Sequence, residues 1–457
     1  MNHTTQHSVV FDDVFAKPVH AQFDQQDSSS DGGALWLKAA DQSLGLIQAL
    51  GNCIREDRQL GKIKHSLQDL IQQRVFGIAC GYEDCNDAAR LSHDPVHRLM
   101  MGRDPLKGKA LASQPTLSRF ENAIEGRSLV RMGHALADRV IKRHRKHLGK
   151  RVRRVTIDMD PTDHATYGGQ QLSFFHYHYD SWCYLPVACF LQFDDEPDQY
   201  LSGYVLRPGD VGAHYGAISL LRRTIEKLRS QFDSVNICVR LDSDFLTPEL
   251  LDFLDELRVK YVASIAKNAV LKAFSEPLMK KVRQRSKKTH RTERLFGECE
   301  YMAKSWEVDR RVIFKAEVVC HPGRNPKENP RFVVTNLKSK PEFVYRKVYC
   351  QRANIENRIK ELLNGLHIDR SSCTGFLANQ LRCLLSATAY VLFQELRLAA
   401  AKTPLASAQV STLRERLLKM AVWLKRSTRR VVFHLPDSAP YATEWCQIAR
   451  TLCIAPT

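Results

Sequence analysis

The chain has 457 residues, 44% of them hydrophobic and 26% charged, so it can bury a large core without help from disulfides. Sixty-eight Lys and Arg against fifty Asp and Glu leave a net charge of +18. Such an excess favours a polyanionic partner, because neutralised phosphates release bound counterions. The sequence has no polybasic amphipathic anchor or lipidation motif, which argues against a membrane surface. The composition therefore predicts a nucleic-acid-binding protein and leaves its chemistry open.

Three features indicate the compartment. The thirteen cysteines are scattered and odd in number, which is typical of reduced thiols in the cytoplasm. The first fifteen residues lack a basic segment followed by an apolar run, so no secretory signal is expected. The most apolar stretch, residues 376–396, is interrupted by polar side chains and predicts a buried helix, not a membrane span. We expect a cytoplasmic protein with no membrane partner.

The first 150 residues divide where the composition changes. Residues 1–33 are polar and end in Ser-Ser-Ser-Asp-Gly-Gly, which predicts a flexible arm. Residues 34–150 carry apolar side chains at helical spacing, with Ser66 and Asp69 as a cap pair at one helix start. We interpret residues 34–150 as a helical DNA-binding domain.

Two stretches of this region are candidates for DNA contact. A helix that opens with Ser-Gln-Pro-Thr would expose Gln114 and Arg119, and it fits either the reading helix of a helix-turn-helix or an ordinary capped helix. The basic run at residues 142–146 is expected to touch phosphate because of the high net charge. Its candidate contacts are Lys142, Arg143 and Arg145.

From residue 151 the pattern is that of an α/β fold. Strands are predicted at residues 152–160, 183–193, 200–206, 235–242 and 261–265, with helices at 217–231 and 247–257. Three consecutive strands predict an antiparallel meander, and strands separated by helices predict parallel crossovers. That order is typical of an RNase-H-like mixed sheet, so residues 151–265 are interpreted as the first part of a catalytic core.

The rest of the chain falls into three segments. Residues 266–345 contain a basic stretch and several strand-like runs, and we interpret them as a β-rich insertion. Helical spacing resumes in residues 346–402, which would complete the core. Residues 403–457 are predicted to form a basic helical tail.

Acidic residues end two of the predicted strands. Asp158 and Asp160 alternate with apolar residues, so both carboxylates lie on one face, where they would repel each other unless a metal ion relieved them. The alternative is a solvated edge strand. Asp242 ends a later strand of the α/β layer, which is where ligands bind in such folds. The alternative there is a helix cap, for which Asp244 is the better candidate.

A third acidic residue lies in a predicted helix. Glu356 has Arg352 one turn before it and Lys360 one turn after it, with Tyr349 on the same stripe. Taken alone, this pattern is typical of weak salt bridges on a solvated helix face. Phosphodiester chemistry with divalent ions, however, needs oxygen ligands that converge from separate elements, and the three acidic groups could supply them.

Together these groups resemble the active site of bacterial insertion-sequence transposases of the DDE type. One branch carries its third carboxylate in a Tyr-x2-Arg-x3-Glu-x6-Lys helix, which Tyr349, Arg352 and Glu356 match. The first aspartate of the group lies in an Asp-x-Thr motif, matched at Asp160. The second lies in Asp-x-x-Phe/Tyr, matched at Asp242. These matches identify the chain as similar to that branch.

Further blocks, such as residues 81–87 and 206–209, resemble the insertion-sequence family thirteen-eighty more narrowly. Two positions depart from the pattern. Leu363 stands where the helix motif has its last Lys, so that Lys360 or Arg358 would take that role. Asp244 stands where Gly is usual.

The resemblance implies an RNase-H-like transposase in which Asp160, Asp242 and Glu356 hold two Mg²⁺ or Mn²⁺ ions, with Asp158 as the alternative first ligand. The Tyr and Arg of the helix motif would hold phosphate groups. Implied partners are double-stranded DNA, as terminal inverted repeats and as target, and a second copy of the chain in a nucleoid-associated DNA complex. An RNase-H-like nuclease that cuts without joining and a non-catalytic DNA-binding regulator remain as alternatives.

Overall fold

The structure is a computed structural model that describes residues 8–149 and 151–452. Within these residues lies a nine-stranded mixed sheet. Its strands in chain order are β1 Arg154–Pro161, β2 Val187–Phe193, β3 Tyr200–Val205, β4 Asn236–Leu241, β5 Lys260–Ile265, β6 Glu293–Tyr301, β7 Arg310–Val319, β8 Lys327–Glu328 and β9 Arg331–Thr335.

The order of these strands places β1 near the middle of the sheet. β1 is parallel to β4, and β4 is parallel to β5. On its other side β1 pairs with the antiparallel β2, which pairs with the antiparallel β3. Beyond β5 the sheet continues through β9, β7 and β6 in antiparallel pairs, and β8 pairs with β7. The predicted meander and the parallel pairing of β1, β4 and β5 are confirmed.

Helices surround this sheet. Those of six or more residues are α1 Leu35–Leu44, α2 Leu46–Gly51, α3 Leu67–Ala79, α4 Cys85–Arg90, α5 Pro95–Met100, α6 Gln114–Asn122, α7 Gly126–Leu148, α8 Ala217–Gln231, α9 Pro248–Glu256, α10 Ala269–Thr289, α11 Ala353–Leu366, α12 Phe376–Ala399 and α13 Ala442–Thr451. The cap pair at the start of α3 is confirmed, since Asp69 N donates to Ser66 Oγ at 3.0 Å and Ser66 N donates to Asp69 Oδ2 at 3.2 Å.

The long helix α12 joins the N-terminal helices to the sheet. By length and composition it could cross a membrane, but 89% of its most apolar window is buried inside the protein. Its polar residues bond the backbone around edge strand β3, because Gln380 accepts from Leu206 N at 2.6 Å and Gln394 accepts from Leu201 N at 3.1 Å. A helix thus covers an edge that would otherwise be open to pairing. The same hydrophobic core continues from α1 to α13.

The predicted flexible arm is wrong for residues 28–33. Strand Ser28–Ser29 pairs with strand Val422–Arg426, and the buried Asp31 accepts from Lys419 Nζ at 2.7 Å. Two glycines allow this contact: a Cβ on Gly33 would lie 1.6 Å from a backbone oxygen of the C-terminal segment. The Gly-Gly pair therefore serves close packing here instead of flexibility. Earlier in the arm, Ser8–Phe11 and Val19–Gln22 form a hairpin, and residues 1–7 lie outside the described part.

Two other predicted segments differ in part. The C-terminal tail is not wholly helical, because Val422–Arg426 and Val431–His434 form a β-hairpin between helical turns and α13. The basic residues of this hairpin lie mostly outward while Val422 and Leu424 are buried. The insertion at 266–345 is β-rich only after residue 292, since it begins with the 21-residue helix α10. The basic stretch of the insertion is largely part of that helix.

Candidate active site

Asp160 and Asp242 are brought together by two neighbouring parallel strands. Asp160 lies near the carboxyl end of β1, and Asp242 follows directly after β4. One guanidinium nitrogen, Arg352 Nη2, donates to Asp160 Oδ1 and, at 3.0 Å, to Asp242 Oδ2. Two oxygens that share one donor lie less than about 6 Å apart, twice the length of a hydrogen bond. The two aspartates therefore form a single acidic site.

Glu356 lies beside this pair on α11. The helical turn Tyr349–Arg352 leads into α11, so that Arg352 lies one turn before Glu356. Glu356 is exposed, and its charge is close enough to raise the pKa of Asp160. A carboxylate in the first turn of a helix is stabilised by the helix dipole. All three predicted carboxylates thus belong to one electrostatic cluster, although only the two aspartates share a direct contact partner.

The electrostatics of Asp160 are unfavourable for a free carboxylate. Burial raises its pKa to about 7, and the nearby charges of Asp242, Glu356 and Asp158 add to the rise, which Arg352 only partly offsets. The carboxyl therefore holds a proton more readily than an ordinary aspartate does. A bound cation would relieve both causes, because it replaces lost solvation and screens the neighbouring negative charges.

Asp242 behaves in the opposite way. Burial raises its pKa, but the Arg352 guanidinium and hydrogen bonds from Ser243 and Ser264 outweigh that effect, so its pKa is below the ordinary value. Ser264 Oγ donates to Asp242 Oδ1 at 3.1 Å. Asp242 is therefore ionised and fixed in place. Thr247, not Asp244, caps the following helix, since Leu250 N donates to Thr247 Oγ1 at 3.3 Å.

The donor set fits a divalent cation. Asp160, Asp242 and Glu356 offer the hard carboxylate oxygens that Mg²⁺ and Mn²⁺ prefer. The nitrogen of Arg352 marks a point between the two aspartates at which a positive charge is already stabilised. The raised pKa of Asp160 also shows that one guanidinium does not neutralise the cluster.

Asp158, the alternative first ligand, has a different role. It is fully buried and pairs with Arg240 across the parallel strands, with Arg240 Nε at 2.6 Å from Oδ1 and Nη2 at 2.5 Å from Oδ2. Gln199 Nε2 also donates to Oδ2. Binding a metal would require breaking this bidentate pair and leaving Arg240 buried without its charge partner. Asp160 is therefore the remaining candidate for the first ligand.

A cleft of about 470 Å³ opens beside the acidic site. Tyr349 and Arg352, two of the predicted phosphate-binding side chains, line it together with Asp242. Lys267 and Arg331 also line it and were not predicted from the sequence. Lys267 follows β5, which neighbours β4, and Arg331 begins β9, the next strand beyond β5, so a full strand order would have identified them.

Two basic side chains, Arg358 and Lys360, were expected to replace the last Lys of the helix motif, and they have different surroundings. Arg358 is occupied, since its Nη1 lies 3.1 Å from Glu361 Oε2 and 3.6 Å from Asp198 Oδ1. Lys360 is exposed one turn after Glu356, and Leu363 packs against the core. Lys360 is thus the substitute that is available for a phosphate.

The predicted reading helix α6 does not have the setting of a helix-turn-helix. Thirteen residues, 101–113, separate it from α5, whereas that motif has a turn of three or four. Glu121 of α6 is buried against Arg74 at 2.6 Å, which fixes the helix within the fold. Gln114 is half-buried, and Arg119 is exposed.

The exposed side of α6 lines a large cleft of about 1630 Å³. Seven Lys and Arg against four Asp and Glu line it, which gives it a positive balance. The cationic side chains are Arg55, Arg58, Lys62, Lys64, Arg103, Lys109 and Arg119.

The basic run at the end of α7 is only partly free for DNA. Arg143 Nε donates to the buried Glu395 Oε2 of α12 at 2.9 Å, so its prediction as a phosphate contact conflicts with the structure. Lys142 is exposed and Arg145 is half-buried. Helical spacing explains the difference, because Arg143 lies one turn after the buried Val140 on the inward side of the helix.

A second group of metal-capable side chains lies far from the carboxylates in sequence. Asp31, Cys80 and His97 are buried, with ligand atoms within 4.8 Å of one another. Asp31 already has His97 Nε2 at 2.8 Å and Lys419 Nζ at 2.7 Å. The carboxylate is thus balanced by the chain's own groups, and this cluster joins the N-terminal and C-terminal segments. The described cysteines are all free thiols.

Comparison with known proteins adds an independent finding. A family model described as transposase DDE domain group 1 matches residues 11–456, nearly the whole chain. A search of curated proteins gives no significant match. The family match covers the helical region, the sheet, the insertion and the C-terminal hairpin together.

Proposed function

Because the chain belongs to the DDE transposase family, we propose that it binds the terminal inverted repeats of an insertion sequence, cuts DNA strands there and joins the 3′ ends to target DNA. The observation that carries this proposal is the shared contact of Asp160 and Asp242 with Arg352, one turn before Glu356. Membership in insertion-sequence family thirteen-eighty is part of the proposal and rests on the sequence blocks.

We also infer that the core is RNase-H-like. The strand order β3-β2-β1-β4-β5, with β1, β4 and β5 parallel and β2 antiparallel, supports this inference. In such a fold the first and fourth strands present the catalytic aspartates at adjacent ends. Residues 269–335 extend the sheet beyond β5 and return the chain to the turn that carries Arg352.

Asp160, Asp242 and Glu356 would hold two Mg²⁺ or Mn²⁺ ions. When bound, these ions supply Lewis-acid stabilisation of the oxygens that attack and leave the phosphorus. The residues of the chain position the DNA for that chemistry. Three carboxylates repel a phosphodiester, so Arg352, Tyr349 and the exposed Lys360 are needed to hold the phosphates that flank the scissile bond.

Binding of duplex DNA is assigned to the positive surfaces of the helical region. The cleft along α6 offers Arg119 and several further cations, and Lys142 and Arg145 lie on the exposed end of α7. Contacts of this type supply affinity that falls steeply with salt. Pairing of two transposon ends would require at least a dimer in the DNA complex.

The test is cleavage and joining with DNA that carries the insertion-sequence ends. Asp160→Asn, Asp242→Asn and Glu356→Gln should each lower both activities by more than about a hundredfold, because even outer partners of metal ligands cost 10–100-fold. Asp244→Asn, an exposed carboxyl beside Asp242, is the matched control and should stay active.

Pre-cut ends separate the competing functions in the same assay. A transposase joins them to target DNA, whereas a nuclease does not. If all three carboxylate variants cut as well as the unmodified protein, the chain is a DNA-binding regulator and the proposal fails.

A further inference from the structure

A small three-stranded sheet projects from the chain between β1 and β2. Its strands are His164–Ala165, Phe174–His176 and Ser181–Tyr184, with the last in the middle. This aromatic subsheet, residues 164–184, begins four residues after Asp160. Thr162 N donates to Pro186 O at 3.1 Å, which closes its base at the carboxyl end of β1. The subsheet therefore emerges directly beside the acidic site.

One face of the subsheet carries three aromatic rings in contact. Phe175 lies opposite Trp182, with ring centroids 6.5 Å apart, and Phe175 and Tyr177 are 5.4 Å apart. The exposed fractions are 40% for Phe175, 91% for Tyr177 and 58% for Trp182. We call these side chains the three-ring cluster. Contiguous exposed apolar surface is typical of interaction sites, whereas single exposed hydrophobic residues are common on any protein.

The subsheet reaches toward the carboxylates. Burial raises the pKa of Tyr179 to about 12, and the charges of Asp163, Asp160 and Asp244 contribute to the rise. Tyr179 lies in the turn between Tyr177 and Trp182. The base of the subsheet lies at the same end of β1 as Asp160, and the three-ring cluster is carried by the strands and turn that rise from that base.

The charge of the subsheet does not favour binding of the phosphate backbone. Residues 164–184 contain no Lys or Arg, in a chain that has sixty-eight of them. Apart from its histidines, the segment has a single ionisable residue of the charged type, Asp180, which is acidic. The segment therefore has no cation with which to neutralise a phosphate, and its exposed rings favour stacking, which needs bases that are not already stacked in a duplex.

The subsheet is also held firmly from its other side. A Cβ on Gly209 would lie 2.1 Å from the Cys183 carbonyl oxygen, so the loop after β3 packs directly against the strands. Within the subsheet, Gln171 N donates to Thr374 O at 2.9 Å, which attaches the loop between the first two strands of the subsheet to the start of α12. A surface fixed in this way loses little freedom when a ligand stacks on it.

We propose that the three-ring cluster binds unpaired nucleobases of the DNA strand at the acidic site. The inference rests on the proposed function for the presence of that strand. Aromatic rings receive bases of any sequence, because every base has a flat π face. The cluster would therefore hold a strand opened next to the scissile phosphate without reading its sequence.

The test is DNA binding by the full chain in EDTA, so that no cutting occurs. The probes are a duplex with three unpaired nucleotides, one of them 2-aminopurine, and the same duplex fully paired. We expect tighter binding of the unpaired probe by at least about 5-fold, since stacking contributes roughly 5- to 150-fold per base. We also expect quenching of the 2-aminopurine fluorescence on binding.

The variant Phe175→Ala/Tyr177→Ala/Trp182→Ala should lose both the preference and the quenching and keep its affinity for the paired duplex. Trp423→Ala is the matched control, an equally exposed aromatic in the C-terminal hairpin, and should keep all three. A preference that survives in the triple variant overturns the proposal. So does a triple variant that runs as a smaller oligomer than the parent, because the cluster would then bind a second copy. Cleavage is not measured here, so failure of the carboxylate test leaves this result readable.

Discussion

Replacing Asp160 by Asn should stabilise the metal-free protein above neutral pH. A pKa of about 7 in place of 3.8 means that the folded state binds the proton more tightly than the unfolded chain does. Stability from this group is therefore highest below pH 3.8, falls by about 1.4 kcal/mol per pH unit up to about pH 7, and then levels off. The full cost of holding the carboxylate ionised is about 4 kcal/mol. An Asn side chain has nearly the same shape as Asp and does not ionise, so the variant does not carry this cost.

The measurement is thermal unfolding of both proteins in EDTA between pH 5 and pH 8. From pH 5 to pH 7 the parent loses about 2 kcal/mol that Asp160→Asn does not lose. For a chain of this size we expect the difference in Tm to widen by about 2 °C. Asp244→Asn, which removes a neighbouring exposed carboxyl, is the control measured alongside. A constant difference for Asp160→Asn, or a variant less stable than the parent at pH 8, would refute the reasoning.

Three further predictions follow from the same site. Asp158→Asn leaves the buried Arg240 without its charge partner and should cost about 3 to 5 kcal/mol of unfolding free energy in urea titrations, where a change below about 1 kcal/mol would contradict the assigned role. Glu356→Gln changes an exposed side chain, so its Tm should stay within about 1 °C of the parent while DNA cleavage is lost, and a large drop in Tm would indicate a structural role. Arg352→Gln removes the cation between the two aspartates. In calorimetry without DNA, this variant should bind Mn²⁺ at least about tenfold more tightly than the parent. Unchanged or weaker binding would show that the guanidinium does not occupy the cation position.

The periodicity of apolar residues predicted the positions of the core strands and helices closely. Helix α8 has the bounds expected from its pattern, and the strands around Asp160 and Asp242 differ by one or two residues at their ends. The alternation rule could not separate Asp158 from Asp160, because both lie on one face of β1. The deciding fact is that Arg240 stands opposite Asp158 in the parallel neighbour, and register between distant strands is not contained in local pattern.

The ends of the chain were harder to predict for a related reason. Gly32 and Gly33 are typical of a flexible segment, and their packing against the C-terminal segment depends on residues almost 400 positions away. Arg143 illustrates the same limit in a helix. Its basic neighbours suggested DNA contact, while its partner Glu395 lies on α12 and could not be foreseen from spacing.

The pairing of Ser28–Ser29 and Asp31 with the C-terminal segment also sets when this part of the fold can form during synthesis. Asp31 and Lys419 are 388 residues apart, a stretch that a ribosome needs roughly 20 to 80 s to translate. Until then the strand Ser28–Ser29 lacks its pairing strand, and Asp31 lacks the ammonium group of Lys419. For most of that time Glu356 has not been made either. A chain cut short before residue 419 would lack both the ammonium partner of Asp31 and the strand that pairs with Ser28–Ser29. The N-terminal strand thus completes its packing only after the C-terminal segment has been made.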